Sequence, residues 1–387
     1  NDTNDGLTVK TPVKTFEKAK EILKTRVDAM ETIPDDANFV ISLVYRIQIT
    51  EDCSLNFNEF GENAKRCMVR RDATNTSGYM FDIKEANVTI ENFRVDGNSK
   101  YLKSGVNASF SIGSGAQVTV NDGFEIANMI FGAGGGVFNL GANKTETLLT
   151  INGGWFHDLT GYNGLIVYGN CMSLSTYVPA RCVVNDCLVE NVTGTYGLLH
   201  AMKFVTIEIN GGTWDEIYSG VCTFIGSDDA NSEQPINGDV FVQFNDGTVN
   251  FFSLSSPMTK IDGDSTLEIN GGTLGNLVCA ISGYRDTDWG GNDLQWGEVT
   301  GKRIVNLHNQ DQMTCWQIYA IDEINVSNTA PFIARGTTSS GALQSCGDVN
   351  LLSGTLALTG TNNLIATGAD GVTGDLTIAQ GATLALN

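Results

Sequence analysis

Leu149-Thr-Ile-Asn-Gly-Gly154 returns almost unchanged as Ile207-Glu-Ile-Asn-Gly-Gly212 and again as Leu267-Glu-Ile-Asn-Gly-Gly272. An apolar, a polar and a second apolar residue make a short strand with one buried face. Asn and glycine then turn the chain, because both tolerate backbone conformations that other residues avoid. Looser copies read Val118-Thr-Val-Asn-Asp-Gly123 and Val242-Gln-Phe-Asn-Asp-Gly247, and degenerate ones Val88-Thr-Ile-Glu-Asn92 and Val183-Val-Asn-Asp-Cys187. Successive copies lie about 25 to 35 residues apart, a period that belongs to solenoids.

Two further registers run beside this one. Five to six residues after the turn, a polar residue precedes an apolar one: Asn128-Met129, Asp158-Leu159, Asn191-Val192, Glu216-Ile217 and Asn276-Leu277. Stacked on one corner, these would form a polar ladder. Phe81, Phe110, Phe138, Ile166, Leu199, Phe224, Phe252 and Ile281 mark a third, apolar register. Three short strands per period with regular returns predict an all-β chain: a right-handed, single-stranded parallel β-helix of three strands per coil and about a dozen coils. At roughly 4.8 Å per layer the rod would be on the order of 55–60 Å long.

The chain divides into an N-terminal segment, 1–37, and the solenoid, 38–387, with thinner repeats from about 340. Thr15 is placed to N-cap a helix whose apolar positions, Phe16, Ala19, Ile22, Leu23, Val27 and Met30, share one face. That helix would cover the open end of the core, and Pro34 would end it before the strand beginning Phe39-Val-Ile-Ser-Leu. The last repeats, through Leu384-Ala-Leu-Asn387, show no matching polar cover, so end-to-end self-association or continuation into a longer polypeptide is expected.

Asn4-Asp-Gly-Leu-Thr8 followed by Thr11-Pro-Val-Lys-Thr-Phe16 resembles the opening of pectate-lyase-like β-helix domains in bacterial surface proteins. The final 40 or so residues resemble the thin repeats of bacterial adhesin passengers. This resemblance implies a secreted or cell-surface location. It bears on architecture more than on activity, because the same fold serves lyases, glycoside hydrolases and non-catalytic adhesins.

The formal charge of −21 is unevenly spread: residues 104–387 hold 8 basic against 27 acidic side chains. So acidic a body repels nucleic acid and anionic membranes. No apolar run approaches the roughly 18 residues of a membrane-spanning helix. The nine cysteines form no Cys-x-x-Cys pair and read mainly as small buried residues, although Cys53/Cys67 and Cys171/Cys182 could close loops in an oxidising compartment. Asn-x-Ser/Thr sequons such as Asn87-Val-Thr89 would matter only in a eukaryotic secretory host.

Signatures of chemistry are sparse. The polygalacturonase and pectate-lyase motifs are missing, and His157, His200 and His308 are too far apart in sequence for metal-ligand spacing. His157-Asp158 has no basic residue nearby in sequence. No metal site and no cofactor are expected. Departures from the repeat at 169–181, 226–238 and 283–302 read as insertions, and loops on a rigid scaffold commonly carry function. The last contains Tyr284, Arg285, Asp286, Asp288, Trp289 and Trp296, aromatic rings beside carboxylates that suit sugar rings. These six are the candidate ligand-binding residues, with the tryptophans alternatively serving to pin the loop to the rod. The expectation is an extracellular structural or adhesive module that binds a polysaccharide, a cell-surface glycan or another partner. The alternative is a glycoside hydrolase or polysaccharide lyase acting on a neutral glycan through the insertion loops.

Overall fold

The computed structural model describes residues 3–386, apart from short turn segments of one to four residues and the stretches 171–179, 220–235, 254–260, 275–279, 283–301 and 368–373. The described residues form a parallel β-solenoid with one α-helix and one short 3-10 helix. Every strand pairing among the described residues is parallel, and through the first part of the chain each strand pairs with the third before it and the third after it. The first sheet begins with Phe39–Leu43 and Cys67–Arg71, the second with Ile47–Ile49 and Tyr79–Ile83, and the third with Cys53–Leu55 and Asn87–Ile90. The third sheet is the longest, running through twelve strands to Leu376–Ile378.

The repeated motif builds that third sheet. Val118, Leu149, Ile207, Val242 and Leu267 fall in one file across neighbouring strands, and Val120, Ile151, Ile209, Phe244 and Ile269 in a second file two residues on, which is buried. The files continue through Val305 and Leu307, Ile324 and Val326, and Val349 and Leu351, where the Asn-Gly-Gly signature has vanished but the alternation persists. The degenerate copy at Val183 is out by one residue. Cys182 and Val184 take the two inward places and Val183 faces outward, a small apolar thiol having replaced the usual aliphatic side chain. The Phe81, Phe110, Phe138 register likewise continues to Val167 rather than Ile166, because that strand starts one residue later; both residues are fully buried.

Both glycines of the turn have a steric reason. A Cβ on Gly211 would lie 2.4 Å from the carbonyl oxygen of Asn185 in the coil before, and Gly212 sits at φ +106°, where side chains are strained. The turn asparagines do more than turn the chain. Asn152 donates to Asn121, Asn185 to Asn152, Asn210 to Asn185, Asn245 to Asn210 and Asn270 to Asn245, a side-chain ladder of six. The corner register expected to form the ladder contributes one such bond, Asn191 to Asp158; Glu216 and Asn276 lie outside the described residues. Its members Asn128, Asp158 and Asn191 instead share φ of 50–55°, so they serve the backbone bend more than each other.

Phenylalanines fill the first half of the core. Phe81 stacks on Phe110 at 4.9 Å between ring centroids and Phe110 on Phe138 at 5.4 Å, with Phe93, Phe124 and Phe156 packed against this column. The α-helix Phe16–Asp28 adds Phe16 edge-on to Phe57 and Phe93. Thr15 caps it as anticipated, its hydroxyl accepting from the Lys18 amide. Phe16 and Val27 are its buried residues, whereas Met30 lies past its end and is exposed. The expected insertion at 169–181 overlaps strand at both ends, since Val167–Asn170 and Ala180–Val184 pair regularly. Cys53, Cys67, Cys182, Cys187 and Cys315 are free thiols, and burial pushes Cys67, Cys182 and Cys315 up to about 12.

Two substitutions measure these contributions. Phe110→Ala, which opens the aromatic column, should cost about 3–5 kcal/mol. Asn185→Ala removes two ladder bonds and should cost about 1–2 kcal/mol. Urea denaturation followed by circular dichroism reads both; equal losses, or none at Asn185, would contradict the ladder's role.

Candidate functional site

The six residues singled out in sequence, Tyr284, Arg285, Asp286, Asp288, Trp289 and Trp296, all lie outside the described residues. Their C-terminal neighbour Lys302 is anchored by its amide on Asp264 and its ammonium on Glu323. The structure brings together a different group on the outer face of the first sheet, where the strands Arg94–Asp96, Glu125–Ile130, Trp155–Gly161 and Leu188–Gly194 lie side by side.

Alternation turns Phe156 and Val189 into the core and leaves Glu125, Trp155 and Leu188 in one outward file, with His157 and Glu190 in the next. Arg94 grips both oxygens of Glu125 at 2.8 and 2.9 Å, and its third nitrogen donates to the Lys65 carbonyl. His157 Nδ1 lies 2.7 Å from Asp158 Oδ2. Its Nε2 is buried 3.7 Å from Glu125 Oε1, an electrostatic contact too long to be a hydrogen bond. The indole of Trp155 stacks on this imidazole at 3.8 Å between centroids and 21° between planes, while its N–H donates to Glu190 at 2.9 Å. Trp155 and Leu188 remain 38% and 37% exposed, so the patch presents apolar surface beside carboxylates.

The charges interlock. Burial raises Glu125, but the contacts with His157 and Arg94 outweigh it and hold the carboxyl down at about 2. Burial likewise pulls His157 down, yet Glu125 and Asp158 together bring it above its ordinary value. The imidazolium is therefore favoured beyond its ordinary share in a patch bearing three carboxylates and one guanidinium. Nδ1 lies on Asp158 and Nε2 is enclosed, so His157 meets the surface only through the half-exposed Asp158. What the patch presents at the surface is an aromatic face fixed in direction, with Glu190 and the half-exposed Asp158 at its margin.

In sequence His157-Asp158 has no basic neighbour; Arg94 reaches the pair through Glu125, two strands away. The signal for Trp155 was present, since the third residue after each turn asparagine forms one file: Trp155, Leu188, Thr213, Thr248 and Thr273. Among the described residues no group of three or more His, Cys, Asp or Glu has the geometry to hold a metal, and no helix is long and apolar enough to cross a membrane.

A shift of this sign in Glu125 predicts an acid limb. Its stabilisation is complete above its ordinary value of 4.5 and is lost as the pH falls towards about 2. Glu125→Gln should therefore be less stable than wild type at pH 6 and approach it as the pH drops through that window. Thermal melts at successive pH values check this; a gap independent of pH would exclude the ion network as its source. Comparison with known proteins returns no matching family model, no matching curated protein and no matching solved structure.

Proposed function

We propose that this chain is an extracellular structural and adhesive module, secreted or held at a cell surface, that binds glycan on the side of a stiff rod. The rod is a right-handed parallel β-helix of three strands per coil and about a dozen coils, of the kind found in pectate-lyase-like domains of bacterial surface proteins. The recurring third-strand pairing and the twelve-stranded third sheet support that count. The helix Phe16–Asp28 closes its first coil, supported by the contacts of Phe16 with Phe57 and Phe93.

One observation carries the glycan assignment: an exposed indole whose N–H is fixed on Glu190 and whose ring is backed by His157. Sugar rings pack their C–H faces on such a surface and offer hydroxyls to carboxylates beside it. The acidic body favours neutral over polyanionic polysaccharides. The loop carrying Trp289 and Trp296 is a second contact in this proposal, and the one through which a carbohydrate-active enzyme would work.

End-to-end association is the other part of the proposal. Leu376 and Ile378 continue the inward files of Val349 and Leu351, yet they are 41% and 47% exposed. A further strand layer, from another copy or from a continuation of the polypeptide, would cover them.

Trp155→Ala should abolish or weaken at least severalfold the retention on an immobilised neutral polysaccharide panel, with an unchanged melting temperature. Trp289→Ala and Trp296→Ala report separately on the loop. Failure of the wild type to bind any member of the panel, with or without calcium, would remove the glycan assignment. Sedimentation across protein concentration tests association, and a monomer throughout would remove that part.

A further inference from the structure

We infer that His157 is the positioning residue of the Trp155 platform and makes its readiness pH-dependent: the imidazolium seated between Glu125 and Asp158 holds the indole in place, and the neutral ring holds it less firmly. The use of this device rests on the glycan-binding proposal; the device itself rests on ring geometry and charge.

Trp155 has two holds, its N–H on Glu190 and its ring on His157. The first leaves the indole free to swing about the bond, so the second sets the direction of its open face. At 3.8 Å the stack is attractive when the imidazole is cationic, because the indole face is the negative pole of its quadrupole. Proton loss removes the cation–π part of that attraction and leaves the weaker stacking of two neutral rings.

Every neighbouring strand contributes a charge that favours the cation. Glu125 on the preceding strand lies 3.7 Å from Nε2, and Asp158 on the same strand 2.7 Å from Nδ1. Beyond Glu125, Arg94 is occupied by both oxygens of that carboxylate, so it does not repel the imidazolium unscreened. Asp96, in the file of His157, is held by Arg70 at 2.7 Å. Glu190, on the following strand, is held by the indole. When His157 is neutral, Glu125 keeps Arg94 but Asp158 keeps no cationic partner among these groups. The half-exposed Asp158 gives the departing proton a route from Nδ1 to water. Preorganisation of a binding ring is worth affinity because the bound orientation no longer has to be selected. The platform should bind best below the histidine midpoint and less well above it.

Indole emission is quenched by a stacked imidazolium, and this provides a readout independent of any glycan. The difference in fluorescence between wild type and Trp155→Phe isolates Trp155 from the other four tryptophans. Followed from about pH 5 to 9, the difference signal should rise with one midpoint above the ordinary histidine value of about 6.5. His157→Gln should flatten it, and Glu125→Gln should lower its midpoint. Retention of the wild type on whichever polysaccharide of the panel it binds should fall severalfold through the same midpoint. A flat wild-type difference signal, or a titration that survives in a folded His157→Gln variant, overturns the inference. A titrating signal in a protein that binds no polysaccharide upholds the device and removes the glycan assignment.

Discussion

Parallel coils in register place each side chain against its counterpart one layer away, at about the spacing of hydrogen-bonded strands. A residue in such a stack must be compatible with near copies of itself. Phenylalanine meets this condition by offset stacking, as Phe81, Phe110 and Phe138 do. Aliphatic side chains meet it by simple contact. Asparagine meets it through its amide, which carries both a donor and an acceptor that match the next asparagine. Charged residues fail it, since like charges directly opposite repel. The low content of charged side chains, 17%, and the abundance of asparagine follow from this one condition.

Several of the charges that enter the stack face a residue of opposite sign or different chemistry, although Glu323 lies opposite Asp348. Arg94 faces Glu125, Arg181 pairs with Glu208, and Gln243 separates Glu208 from Glu268. The Trp155 patch is the place on the first sheet where such contrasts gather several kinds of group at once. Its cation, carboxylates and rings come from strands roughly thirty residues apart in sequence, so each completes a demand left by its neighbour. That explains both the depressed carboxyl of Glu125 and the elevated imidazole of His157: neither is perturbed by burial alone, which works against both charges.

The periodic parts of this molecule were legible from the chain. Alternation around Asn-Gly-Gly announced the strands, and Thr15 announced the helix start. Errors arose where one place in the repeat had changed its chemistry. Cys182 takes the inward place although its neighbour Val183 is the more usual core residue, and Val167 rather than Ile166 continues the phenylalanine file although the two are equally apolar. The patch around Trp155 was harder, since its logic is lateral. His157 and Arg94 are 63 positions apart in sequence, and only the register of two intervening pairings brings them to one carboxylate. The loop chosen in sequence, 283–302, stood out by its tryptophans, a local signal of a kind that a lateral network does not emit.

The asparagine ladder has a property that concerns inheritance more than energy. Each rung donates to the one before and accepts from the one after, so every rung arrives with its own complementary pair of groups. Duplicating or deleting a whole coil within the run Asn121 to Asn270 would leave no amide stranded at the junction. A gene encoding such a run can lengthen or shorten by unequal recombination and still specify a closed set of bonds. A site built laterally from unlike neighbours lacks that freedom, because removal of the coil bearing Glu125 would set Arg94 against Trp155.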